Sequence, residues 1–265
     1  MAGIIITLIV VATGIYLAFF MYGKRAVPVR VPAEEIQHTL SNKVAYYIKL
    51  SAEEKRRFEQ EVAAFLEDIR ITGVQTKVTN EDRVFVAASA IIPIFAFPGW
   101  RYPNLNEVLI YPDRFDDQFS VEGSHTDRNI LGMVGSGALH RVMIIAQGAL
   151  RDGFLNKTDK ENTAIHEFVH LIDKTDGSID GIPELLFENR CTKPWLQLML
   201  RKIQEIKDND SDINPYGATN EAEFFAVAAE YFFERPLLLQ QKNPALYAKM
   251  EKIFKQSPRT DSRKQ

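Results

Sequence analysis

Five consecutive residues, His166-Glu167-Phe168-Val169-His170, have the types and the spacing to do chemistry together. At 3.6 residues per helical turn, side chains four apart share a face, so the two imidazoles can converge on one divalent ion. Glu167 stands next to that face, where its carboxylate can reach a water on the ion without being a ligand. A carboxylate so placed can take the proton of that water and ready it for hydrolysis. The H-E-x-x-H pattern needs a helix, and the stretch 158–173, TDKENTAIHEFVHLID, predicts one. Thr158 and Glu161 have capping-box spacing, and Ile165, Phe168, Val169 and Ile172 form an apolar stripe beside the histidines. The alternative is two histidines that are simply polar residues at a core edge. The helix that the motif demands favours the ion.

Two histidines do not complete such a site, because catalytic zinc usually takes three protein ligands and leaves one position for water. No third His follows at H-x-x-G-x-x-H spacing, where Asp176 stands instead. A carboxylate from another helix is the natural substitute. Residues 216–236 read YGATNEAEFFAVAAEYFFERP, a helix capped by Thr219 or Asn220 and running to about Phe233. Phe224, Phe225, Ala226, Val227, Ala228 and Ala229 cover all of its sides, so it is expected to be buried. A carboxylate held there needs a cation or a hydrogen-bond partner. Glu223 and Glu230 both qualify, as a ligand or as the acceptor of a ligand histidine's N–H, and their chemistry alone does not choose between them. His125 has no partner at ligand spacing and reads as an exposed loop residue.

The elements that must position these groups are mostly helices. A short helix pair is expected over 34–50 around Asn42. Ser51 and Glu54 form a capping box for a helix with Phe58, Val62, Phe65, Leu66 and Ile69 on one face. Residues 71–78 suggest a strand, and Thr79-Asn80 caps a helix over 81–92 that Pro93 and Pro98-Gly99 end. A short strand is expected at 108–111 and a polar connection over 115–128. GMVGSG, 132–137, lacks a nucleotide-binding order and reads as a flexible turn. HRVMIIA, 140–146, alternates as a strand whose edge could receive an extended peptide. Asp176-Gly177 and Asp180-Gly181 mark turns, with helices expected at 183–189 and 194–206. The fold class is α+β, predominantly helical, with a small mixed sheet.

Hydrophobic residues make up 46% of the 265 and charged ones 25%, enough for one sizeable domain with an appendage. A net charge of −3, with basic residues interspersed among acidic ones, gives no footprint for nucleic acid. The lone cysteine, Cys191, excludes an intrachain disulfide and a multi-cysteine metal site, and reads as structural. Residues 3–22, GIIITLIVVATGIYLAFFMY, are uncharged over a length that spans a bilayer as a helix. No basic n-region or cleavage site marks them as a signal peptide. Lys24, Arg25 and Arg30 follow, and the positive-inside rule then places the body in the cytoplasm. The expected division is an anchor and linker over 1–30, a catalytic domain over 31–256 and a disordered tail over 257–265.

His166, Glu167, Phe168, His170 and Asp173, together with the block YGATNEAEFFA from Tyr216 to Ala226, resemble the Mlc titration factor A family of zinc peptidases. The same motifs are similar to the catalytic domain of anthrax lethal factor. The resemblance implies a zincin-like fold and makes Glu223 the third zinc ligand beside His166 and His170. It further implies Tyr216 as a hydrogen-bond donor to the transition state and puts Asp173 behind the ligands. The implied activity is peptide hydrolysis by a zinc-activated water, with Glu167 as general base. A different function, sequestering a transcriptional regulator at the membrane, is also implied, since the family is associated with that role. An inactive zinc-stabilised scaffold fits less well, because a purely structural site has no use for Glu167.

Overall fold

Paired capping residues start the first long helices. In the computed structural model, residues 30–112, 132–134, 141–156, 160–183, 186 and 192–258 are described. Helices α1 (Ala33–Lys43) and α2 (Ala45–Ile48) break at Val44, whose extended backbone interrupts the ladder. In front of α3 (Ala52–Asp68), the Glu54 N–H donates to Ser51 Oγ while the Ser51 N–H donates to the Glu54 carboxylate. Phe58, Val62, Phe65 and Leu66 of α3 are buried, the face expected from their spacing. Helix α4 (Asn80–Ile94) opens with the same device on Thr79 and Asp82 and is buried from Val84 to Ile94. Pro93 lies inside its last turn rather than ending it.

Four strands make a mixed sheet in the order β1-β2-β4-β3, with β1 (Arg70–Gly73), β2 (Glu107–Tyr111), β3 (Gly132–Val134) and β4 (Val142–Ala146). The β1–β2 and β2–β4 pairs are parallel, while β3 runs antiparallel to β4. Strand β1 is shorter than the 71–78 expected. The chain folds back over Gly73, where a Cβ would come within 2.1 Å of the Thr76 carbonyl oxygen, and Gln75 takes a positive φ of 57°.

Two expectations about the sheet are corrected. Gly132 to Val134 are not part of a turn: they pair with Ile145, Ile144 and Met143 of β4. Nor does β4 offer an edge, since β2 and β3 occupy both of its sides. Its two faces are also both covered. Met143 and Ile145 join the main core, and Ile144 packs with Tyr111 in a smaller cluster on the other side. A strand with neighbours on both sides and cover on both faces reads as an apolar run, so alternation says little about its position.

Strand β4 passes directly into α5 (Gln147–Leu155), and the remaining helices are α6 (Thr163–Asp173), α7 (Thr192–Lys207), α8 (Glu221–Glu234), α9 (Pro236–Lys242) and α10 (Pro244–Phe254). Helix α6 packs on α8, α4 and β3. Gly177 and Gly181 take the positive φ that the two expected turns require. At Gly181 a Cβ would also meet the Glu221 carbonyl oxygen at 2.4 Å, so the turn is pressed against the start of α8. The apolar run 3–22, His125, Cys191 and most of the helix expected at 183–189 lie outside the described residues, as do residues 259–265 of the tail. Among the described residues, no helix is long and apolar enough to cross a membrane. The architecture is α+β and predominantly helical, with one small mixed sheet.

Candidate metal centre

The cap of the H-E-x-x-H helix lies four residues later than expected. Thr158 lies outside the described residues, and the Glu161 carboxylate accepts from the Asn214 amide at 2.8 Å. The N-cap is Asn162, whose Oδ1 accepts from the Ile165 N–H at 3.1 Å. Asn162 is buried and held on every side. Its amide donates to the Gly153 carbonyl oxygen at 3.0 Å and to Glu234 Oε1 at 2.9 Å, and its backbone N–H donates to Glu230 Oε2 at 2.6 Å. A Cβ on Gly153 would stand 2.8 Å from Asn162 Cγ, so glycine leaves room for this amide.

With the helix so fixed, His166 and His170 share a face and their Nε2 atoms are 3.0 Å apart. Glu223 arrives in the first turn of α8, where the Asn220 side chain accepts from its backbone N–H at 2.9 Å. Glu223 Oε2 lies 2.9 Å from His166 Nε2 and 3.4 Å from His170 Nε2. Tetrahedral ligands about 2.0–2.1 Å from a metal stand roughly 3.3 Å from one another, so this triangle has the size of one face of such a site.

The donor set also has the right chemistry. Glu230 Oε1 is 2.7 Å from His166 Nδ1. Opposite a carboxylate, that nitrogen carries the proton, and in the neutral ring this leaves Nε2 as a lone pair. The lone pair then faces a carboxylate oxygen and a second imidazole nitrogen, an arrangement that needs a cation in its middle. A proton is one such cation. Burial works against charge on His166, but hydrogen bonds to Glu223 and Glu230 hold its pKa up to about 10. Burial likewise disfavours the Glu223 carboxylate, yet the two histidines hold its pKa down to about 2. A metal ion is the other, and His166, His170 and Glu223 are positioned to hold it.

Glu167 lies beside this triangle, nearly buried. Burial pushes its pKa up, His166 and His170 pull it down, and Glu223 and Glu230 add to the rise, so it ends above the ordinary carboxylate value. The backbone of β3 approaches it so closely that a Cβ on Gly132 would sit 2.7 Å from Glu167 Oε1. Tyr216, in the 3-10 turn Pro215–Ala218, is 55% exposed with its ring 6.0 Å from that of His166. Burial, then Glu223 and Glu167, raise its pKa, which keeps the phenol protonated as a donor.

Asp173 closes α6, three residues beyond His170. Its Oδ2 accepts from the Gly181 N–H at 2.8 Å, and it hydrogen-bonds to neither histidine; burial pushes its pKa up to about 6. The carboxylate that stands behind His166 is Glu230, left open above as one of two possibilities. Its sequence signal is its distance from Glu223: seven residues, two helical turns along the same face. Asn162 and Gly132 had no comparable signal, since each matters through residues that are distant in sequence.

Residues 22–255 match the family of glucose-regulated metallo-peptidases M90. An uncharacterised protein of Synechocystis sp. is 30% identical over 231 residues, covering 82% of both chains. Mlc titration factor A of Klebsiella pneumoniae strain 342 is 27% identical over 220 residues, covering 79% of this chain and 82% of its own. The same factor of Escherichia fergusonii is 28% identical over 220 residues with the same coverage. The match spans the helices that carry His166, His170 and Glu223, and the chain belongs to the glucose-regulated metallo-peptidase M90 family.

Proposed function

We propose that this metallopeptidase is zinc-dependent and of the gluzincin type, with His166, His170 and Glu223 as the ligands. The observation that carries the reading is the convergence of one ligand atom from each of these residues within 4.8 Å. When bound, zinc supplies Lewis acidity toward water and the scissile carbonyl. Glu167 takes the proton of the attacking water on its carboxylate and delivers it to the leaving amine; its raised pKa suits both transfers. Tyr216 donates its hydroxyl proton to the carbonyl oxygen as charge develops there, a contribution of roughly 3 kcal/mol where water is excluded. Glu230 fixes the tautomer of His166. An extended peptide lies along β3, the one of the described sheet's two outer strands that passes Glu167, with backbone pairing to supply affinity.

The test is metal analysis together with turnover of a peptide library. Glu167→Gln should retain zinc and lose nearly all turnover, and a fully active variant would sink the mechanism. Glu223→Ala should lose metal affinity; unchanged affinity would transfer the ligand role to another carboxylate. In the same reading residues 3–22 anchor the chain in a bilayer, and Lys24, Arg25 and Arg30 hold the body on the cytoplasmic side.

A second reading is favoured by the relatives named Mlc titration factor A. On it, the chain binds a transcriptional regulator, with hydrolysis secondary. Glu167→Gln separates the two, because capture of a regulator survives that substitution and hydrolysis does not.

A further inference from the structure

Three of the six large apolar side chains that stand exposed among the described residues, Ile48, Leu155 and Leu237, surround one opening. It leads into a cavity of about 440 Å³ between the α1–α2 junction, the end of α5 and the start of α9. Leu237, 59% exposed, belongs to the cavity wall. Leu155 precedes Asn156, which lines the cavity too, and Ile48 shares a helix face with the lining residue Ala45, three positions before it. Scattered singly, exposed leucines need no explanation, but a group of them about an apolar opening marks a surface that meets another apolar phase. None of His166, Glu167, His170, Glu223 or Tyr216 lines this cavity.

What this face meets follows from where the chain enters the body. The described residues begin at Arg30, which is exposed, and Val31 is already buried. Helix α1 then runs 11 residues from Ala33 to Lys43. That is a length of roughly 16 Å at 1.5 Å per residue, and Lys43 and Val44 at its end line the cavity. In the reading above, residues 3–22 lie in a bilayer. The eight residues from 23 to 30 span at most roughly 28 Å, more than the length of α1. Such a tether lets the far end of α1 come back to the bilayer surface and keeps the body from leaving it. So confined, the three side chains meet lipid at an effective concentration in the millimolar range, where a small apolar patch is enough.

We propose that this face docks on the bilayer, with Ile48, Leu155 and Leu237 seated at the boundary between headgroups and acyl chains. The proposal rests on the reading of residues 3–22 as an anchor and is independent of the peptidase chemistry. The test uses the full chain in phosphatidylcholine vesicles, with and without brominated acyl chains, which quench tryptophan on contact. Leu237→Trp and Leu155→Trp change exposed side chains, and the emission of Trp100 and Trp195 is subtracted with the wild type. The added emission should fall several-fold in brominated vesicles at both positions. It should barely change for Leu200→Trp, which is exposed on α7, a helix with no residue in the cavity wall. Unquenched emission from either variant with a wild-type melting curve, or equal quenching of Leu200→Trp, overturns the proposal. Emission that is blue-shifted but unquenched also overturns it, because a protein partner or a second copy then covers the face. Flotation separates this failure from failure of the anchor. A chain that does not float with the vesicles has no anchor, and the docking falls with it; one that floats unquenched keeps the anchor and loses only the docking.

Discussion

Glu230 serves two neighbours at once, with one oxygen on His166 Nδ1 and the other on the backbone N–H of Asn162. An amide in its place can accept through only one of its two atoms, so one of these groups loses its acceptor. Glu230→Gln should therefore weaken metal binding by about 10–100-fold with the fold intact, as read by competition with a chromogenic chelator. Unchanged affinity would reduce Glu230 to a packing residue. Gly132 makes the opposite demand, for space. Gly132→Ala places a methyl 2.7 Å from both Glu167 Cγ and Glu167 Oε1 and 2.8 Å from Thr163 Cγ2. Displacing the carboxylate should cut turnover by roughly 100-fold while metal content stays the same; a fully active variant would show that Glu167 has room to move. At this scale the sequence was legible where a residue's neighbours are local. His166, Glu167 and His170 declare themselves by spacing, and Glu223 was implied by the block around it. Gly132 was misread as a turn because its reason lies across space, in Glu167.

Among the elements, α4 is held to α5 through one acid. Asp82 is fully buried and accepts from the Thr79 N–H and hydroxyl, from the Gln147 amide at 2.9 Å, and from Arg151 at 2.7 and 3.0 Å. Removing its charge leaves these donors partly unmet, so Asp82→Asn should cost about 3 kcal/mol in a urea unfolding series. Burial alone would raise the Asp82 pKa, but Arg151, Thr79 and Gln147 outweigh it and hold the carboxyl below its ordinary value. The sign follows from that direction. Its stabilisation is complete above the unfolded value near ~3.9 and is lost as pH falls toward and through the lower folded value. Between pH 5 and about pH 3, the wild type should thus lose more stability than Asp82→Asn; parallel curves would show that the carboxylate contributes no such linkage. Capping boxes at Ser51 and Thr79 were readable because cap and partner are three residues apart. The same spacing misled at Thr158 and Glu161. Asn162 wins the cap of α6 because Gly153, Glu230 and Glu234 hold it there, and none of these is near in sequence.

For the whole molecule, an ion held as proposed by His166, His170 and Glu223 would tie α6 to α8, two helices at the centre of the core. A ligand that binds only the folded chain stabilises it by about 4 kcal/mol at a thousand times its Kd. Chelation should then lower the melting temperature by roughly 10 °C in a domain of this size. Glu223→Ala should show little response to the chelator; an equal drop would place the ion elsewhere. Helix content and the small sheet were legible from periodicity and turn residues. The order β1-β2-β4-β3 was not, because it is set by pairing between distant segments. The same separation governs the site, where Glu223 follows His166 by 57 residues. During synthesis both histidines therefore leave the ribosome well before Glu223 has been made. The apolar face of α6 also waits for α8, since each buries the other. A nascent chain that ends before α8 lacks Glu223 and holds the two histidines on a helix covered only in part, by α4 and β3, so hydrolytic competence is deferred until nearly all of the chain's own core exists.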